Sequence, residues 1–399
     1  MVARAPLFAA PHRLLFLTGA FQLAAVLAWW SATLLDLQGI GLNLPQAVPA
    51  ILLHAPILLF LVLPPFFFGF LLTTFPRWLG FPDSTGPVYL PVGTAFAGAA
   101  IALWLGLFDI APHGISVAFI LGGAGWIWAL AWMLRLAILE LSAGRPATWH
   151  AWSILAALTF GLGCMTLAGI GLATLDPLSV HIANLVALDL CVVPVFVTVC
   201  HRMVPFFAGN VVDAYARWRP FWVLWAFWAS AVLATLGFAL AFPALAAGGK
   251  IAGAGLLALM LWKWWPRSRA PGLLWVLLIG FAWAPAAFAL AAWTGMFEPA
   301  LGRAAIHLVT IGFVLSLVIA MVTRVTQGHS GQQLVMLPIA WLAFATVQAS
   351  TALRLLAAAR DEHLALLTSS TLILTTGVLP WIVRAMWIYL RPRIDGKTG

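Results

Sequence analysis

Charge is what this sequence has least of. Only 8% of its 399 residues are Asp, Glu, Lys or Arg, where a soluble domain carries about 25%. That scarcity excludes a water-covered globule, because there are too few charges to face solvent. Cysteine is scarce as well. Cys164, Cys191 and Cys200 all fall within apolar runs, which suits small core residues better than a disulfide. There is no CxxCH, so any haem is held non-covalently, as haem b. There is no HExxH, Walker loop or Rossmann glycine pattern, which removes the common signatures of zinc proteases and nucleotide binding. The start, MVARAPLFAAPHR, has neither the apolar stretch nor the small-residue site of a cleavable signal peptide.

What the chain has is apolar length. It is 64% hydrophobic, and its runs are continuous rather than alternating. Lipid offers no partners to open sheet edges, so such runs are transmembrane helices and not barrel strands. With about 20 residues per crossing, the chain accommodates twelve. The expected spans are 13–35, 50–74, 90–109, 115–140, 150–174, 180–204, 220–242, 250–265, 273–294, 303–325, 334–357 and 364–390. Turn residues separate them: Gly39 to Pro45, Pro82 to Pro87, Gly144 to Pro146, Asp176-Pro177, Gly248-Gly249, Pro266 to Pro271 and Gly328 to Gly331. No loop is long enough for a soluble domain, so the fold class is an all-α polytopic membrane protein, a single transmembrane domain over 1–399. The 22 tryptophans lie largely near span ends, as interfacial anchors do.

The net charge of +9 reads as membrane topology, not nucleic-acid binding. With twelve spans, 16 of the 20 Lys and Arg residues fall on the side of the termini and 4 on the other. The positive-inside rule then places both termini in the cytoplasm.

Three spans resemble one another. The second has His54 near its start and ends in TTFPRWLG with Arg77. The sixth has His181 and ends in TVCHRMVPFFAG with Arg202. The tenth has His307 and ends in MVTRVTQGHSG with Arg324. The histidines are 127 and 126 residues apart. This spacing suggests three four-helix units in pseudo-threefold arrangement, as repeats 1–140, 141–266 and 267–399; parallel repeats about the membrane normal are a known architecture.

Ionisable residues inside a bilayer are costly and mark function. The nine histidines sort into two layers. His54, His181 and His307 share the outer level, with His113 and His363 in outer loops. His12, His150, His201 and His329 share the inner level. Neutral imidazole ligates copper, iron and zinc and is the usual haem axial ligand. The outer trio, His54, His181 and His307, is therefore the candidate metal set. At the inner level Arg77, Arg202 and Arg324 accompany His201 and His329, and arginine pairs with carboxylates such as haem propionates. Against this, helix-end histidines often bond only to loops, and positive-inside topology alone explains inner arginines. Asp189 is the one carboxylate near mid-membrane, a candidate proton relay or a structural hydrogen-bonding group.

PHRLLFLTGAF, LHAPILLF with GFLLTTFPRWLG, VCHRMVPFF and MVTRVTQGHSGQQL together resemble the NnrS family of bacterial membrane proteins. The resemblance implies haem and copper, and a role in nitric oxide metabolism and nitrosative stress. By motif it carries over to His54, Arg77, Arg202, His307, Arg324 and His329, with His12 and His181 behind them. Where many members have a second histidine two residues after the first, this chain has Pro56. The resulting expectation is a haem and copper protein that binds or reduces nitric oxide, with electrons from quinol or a separate protein donor. Two alternatives stand beside it: a secondary transporter, and a haem-based sensor that binds nitric oxide without turnover.

Overall fold

The computed structural model describes residues 5–41, 44–45 and 48–396. Arg4 and Lys397, both counted in the charge asymmetry, lie outside the described residues, as does part of the Gly39 to Pro45 turn. All described secondary structure is helical, and twelve helices are long and apolar enough to cross a membrane. They are α1 (Pro11–Leu37), α2 (Ala50–Trp78), α3 (Gly86–Leu107), α4 (Gly114–Ser142), α5 (Trp149–Ala173), α6 (Pro177–Ala208), α7 (Phe221–Ala239), α8 (Pro243–Trp264), α9 (Gly272–Phe297), α10 (Gly302–Ser330), α11 (Pro338–Ala358) and α12 (Leu364–Tyr389).

Most observed boundaries fall within a few residues of expectation; two differ in ways that matter. The turn before α8 is at Leu240–Phe242, with Ala241 at φ 50°. Gly248 and Gly249 lie inside the helix instead, where Gly249 meets the backbone of α7 at Ser230 and Ala234. Pro243 starts that helix because its missing N–H is needless at the first position. In α10, RVTQGHS stays helical to Ser330, and Gly331 ends it with φ 76°. His329 is thus on a helix, not in a loop.

The chain divides into two compact units. One comprises residues 1–192, 325–333 and 382–399; the other comprises 193–324 and 334–381. In the first, Phe68 packs 5.9 Å from Phe96 and 5.5 Å from Trp126, joining α2, α3 and α4. In the second, Phe281 packs 5.1 Å from Trp264 and 5.7 Å from Phe313, joining α8, α9 and α10. Each unit holds a tight hairpin fixed by glycine. A Cβ on Gly106 would stand 2.6 Å from Ile115 N, so α3 and α4 touch through their backbones. Gly237 of α7 approaches the backbone at Ala246 of α8 in the same way. Close backbone contact of this kind is how membrane helices associate where apolar burial gives no preference.

The three spans with the shared His and Arg pattern also share a backbone feature. Each carries a π-helical turn: Leu58–Val62 in α2, Leu188–Val192 in α6 and Leu308–Leu315 in α10. Prolines explain two of them. Pro64 and Pro65 have no N–H for the carbonyls four residues back, and Pro194 likewise leaves Leu190 unserved, so the ladder shifts register. α10 adopts the same turn without a proline, with Gly312 packed against the Trp283 ring.

Candidate functional site

The inner end of the first unit brings together residues distant in sequence. His12 is in the first turn of α1, after Pro11. His329 is in the last turn of α10. Their rings lie 4.5 Å apart between centroids, tilted by 46°. His12 is 2% exposed and Arg13 3% exposed. The His12 Nδ1 and the Arg13 Nε are buried with no hydrogen-bond partner. A buried polar atom without a partner costs about 1–3 kcal/mol, so two on consecutive residues suit a group that would satisfy both.

The surroundings are cationic. Arg13, Arg77 and Arg393 all stand close enough to act electrostatically on the His12 ring. Arg77 at the end of α2 holds Asp83 by two bonds, Nε to Oδ1 at 2.6 Å and Nη2 to Oδ2 at 2.8 Å. The guanidinium beside it holds the Asp83 carboxyl below the usual range. Behind the histidines, Thr326 and the Tyr389 hydroxyl are 2.6 Å apart. Tyr389 meets Phe16 edge-on at 6.1 Å, and Phe16 meets His12 edge-on at the same distance.

Elsewhere in the first unit, His54 of α2 stacks on Trp30 of α1 at 4.0 Å. His181 is exposed near the start of α6. Asp189 is half-buried and lies inside the π turn of that helix. His150 is buried at the start of α5. The three free cysteines are buried thiols, and Cys191 packs against Gly161.

In the second unit, His307 uses both ring nitrogens. Nδ1–H donates to the Arg303 carbonyl at 2.7 Å, and Nε2 accepts from Arg354 Nη2 at 2.8 Å. That is a neutral imidazole with its proton on Nδ1. Arg354 was not among the site residues expected from the sequence. His201 is fully buried and its Nε2 bonds the Pro220 carbonyl at 3.1 Å, near Phe221 and Trp264. Arg324 lies over the Phe207 ring, 3.6 Å from its centroid. Arg202 follows His201 and is half-buried.

Among the described residues, no group of three or more His, Cys, Asp and Glu side chains is arranged to hold a metal ion. The histidine pair that does form, His12 with His329, joins a residue the sequence ranked low to one it ranked high. The missed member of the site is Arg13. Its burial is hidden in sequence, because an arginine at a helix start resembles any topology-setting charge.

No curated protein matches the chain. The family profile described as NnrS protein matches residues 6–393. With twelve apolar spans and a match over nearly its whole length, the chain belongs to the NnrS family.

Proposed function

We propose that this chain is a haem-binding inner-membrane protein, with copper as a second metal, that binds or reduces nitric oxide and so protects against nitrosative stress. The observation that carries the reading is the inner histidine pair with its two orphaned buried atoms. One imidazole of this pair would hold a haem b iron, His12 through its unpartnered buried Nδ1 or His329 beside it; rings 4.5 Å apart leave no room for an iron between them. Arg13, through its unpartnered Nε, is the group that would meet a propionate, and Arg77 would join it on exchanging its pair with Asp83. Bound ferrous haem supplies an iron that takes nitric oxide as a ligand and exchanges single electrons.

The residues present do the rest. An imidazole of the pair would supply the iron's nitrogen ligand, the arginines would fix orientation and offset anionic charge, and the Phe16 and Tyr389 rings would exclude water. His54, His181 and His307 are each candidate copper ligands. His307 would have to exchange its Arg354 bond to serve there, which is why the inner pair carries the argument. Asp189 in its π turn is the group we assign to moving protons within α6. Electrons would come from quinol or a separate protein donor.

The test is the optical spectrum of purified protein, oxidised and then reduced. A Soret band with b-type α and β bands is expected. H12A and H329A should each lose more than half of the haem, while H363A, in an exposed loop, should keep it. A featureless spectrum from protein made with ample haem, or full haem in both inner variants, overturns the assignment. Nitric oxide bound by reduced protein but not consumed would select sensing over turnover.

A further inference from the structure

The segment after α12 turns back across the inner end of α10. Arg13 Nη1 donates to the Arg391 carbonyl at 2.7 Å and to the Tyr389 carbonyl at 3.3 Å. The exit from α12 is therefore fastened to the first turn of α1. Ile394 N donates to the Ser330 carbonyl at 3.2 Å. Arg393 Nη1 donates to the His329 carbonyl at 2.9 Å. The same guanidinium holds Asp395 by two bonds, at 2.8 and 2.6 Å. The Asp395 carboxylate packs over Gly331, occupying the space a Cβ would need.

These contacts have two consequences. His329 and Ser330 are the last residues of α10, and their carbonyls have no partner within the helix. The returning segment supplies those partners. It also sets Arg393 within electrostatic reach of both the His12 and His329 rings, with the Arg393 side chain only 15% exposed. Arg391, Pro392 and Ile394 are exposed, and the Asp395 side chain is 30% exposed. Its exposed residues bury little surface, and the carbonyls it caps can bond water instead. Elements of that kind open locally long before the fold does.

We propose that residues 391–395 are a strap that restricts water's access to the His12–His329 pair at the inner face, where His12 is buried and His329 half-buried, and that its release widens the route by which the pair is reached from that side. The strap regulates access to the site proposed above and to that extent rests on that reading; the contacts that define it do not. Arg393 is its anchor and Asp395 fixes the anchor's orientation.

The test is a labelling rate. The H329C chain is purified into lipid nanodiscs and treated with a charged, membrane-impermeant maleimide. The native Cys164, Cys191 and Cys200 are buried, so label on them reports unfolding. Three chains are compared: H329C alone, H329C ending at Arg391, and H329C with R393Q and D395N. Loss of the strap's hydrogen bonds should speed labelling at position 329 by about tenfold or more in the last two. Rates within about twofold across all three, or a full-length rate matching that of exposed H363C, overturn the strap. If truncation exposes the native cysteines, the R393Q/D395N chain decides. Haem absorption of the unaltered chain tests the site and labelling of H329C tests the strap, so the two can fail separately.

Discussion

At the residue scale, two carboxylates show how position sets energetic weight. Glu140 is 3% exposed. It accepts from Thr148 N at 3.0 Å and from Thr148 Oγ1 at 2.6 Å, and so ties the end of α4 to the start of α5. Glu140→Ala would strand both donors and should cost about 1–3 kcal/mol. Thermal melting in detergent measures it, and an unchanged midpoint would refute the cap. Asp83 sits in a bidentate pair with Arg77, but its side chain is 63% exposed. Exposed pairs contribute about 0–1 kcal/mol. Because Arg77 lowers the folded-state pKa of Asp83, its contribution is complete above the unfolded value, about 3.9, and disappears as pH falls through the lower folded value. Asp83→Asn should therefore lower stability slightly at neutral pH and not at all in strong acid; an equal effect at both pH values would refute the pairing.

At the element scale, glycines divide by what stands opposite. A Cβ at Gly106 would meet Ile115 N at 2.6 Å and Gly114 Cα at 2.9 Å, backbone atoms that cannot step aside. Gly106→Ala should force α3 and α4 apart and cost about 1–3 kcal/mol. Gly163, in α5, faces open space, and Gly163→Ala should be neutral or stabilise by up to about 1 kcal/mol through helix propensity. Melting the two variants side by side separates packing glycines from incidental ones. α2, α6 and α10 each carry a His near the start and an Arg toward the end, and their π turns are a second property of the same spans. π turns in membrane helices commonly mark functional segments, and Asp189 lies within one.

At the scale of the whole molecule, the bonds from Arg13 to the carbonyls of Tyr389 and Arg391 place the start of α1 and the end of α12 at one level. An even number of crossings requires that. With 16 of 20 Lys and Arg residues expected on that side from the sequence, the positive-inside rule predicts that it faces the cytoplasm. A fluorescent protein fused to the C-terminus should then fluoresce and a periplasm-dependent phosphatase fused there should stay inactive. The opposite pair of results would invert the topology.

The twelve spans, their order and the charge bias were all legible in the sequence. Bilayer thickness sets the length of a crossing, and hydropathy is a local property that needs no fold to be read. The likeness of α2, α6 and α10 was legible for the same reason, as was family membership from short contiguous motifs. What only the tertiary structure decided is which polar groups meet. His12 and His329 are 317 residues apart in sequence and 4.5 Å apart between rings. Arg13 looked like one more inner-side charge until its burial and its reach to α12 were visible, and His307 looked like a free ligand until Arg354 was found against it. Proximity of that kind comes from helix packing, which depends on the complementary shapes of whole surfaces; no local pattern of residues encodes it.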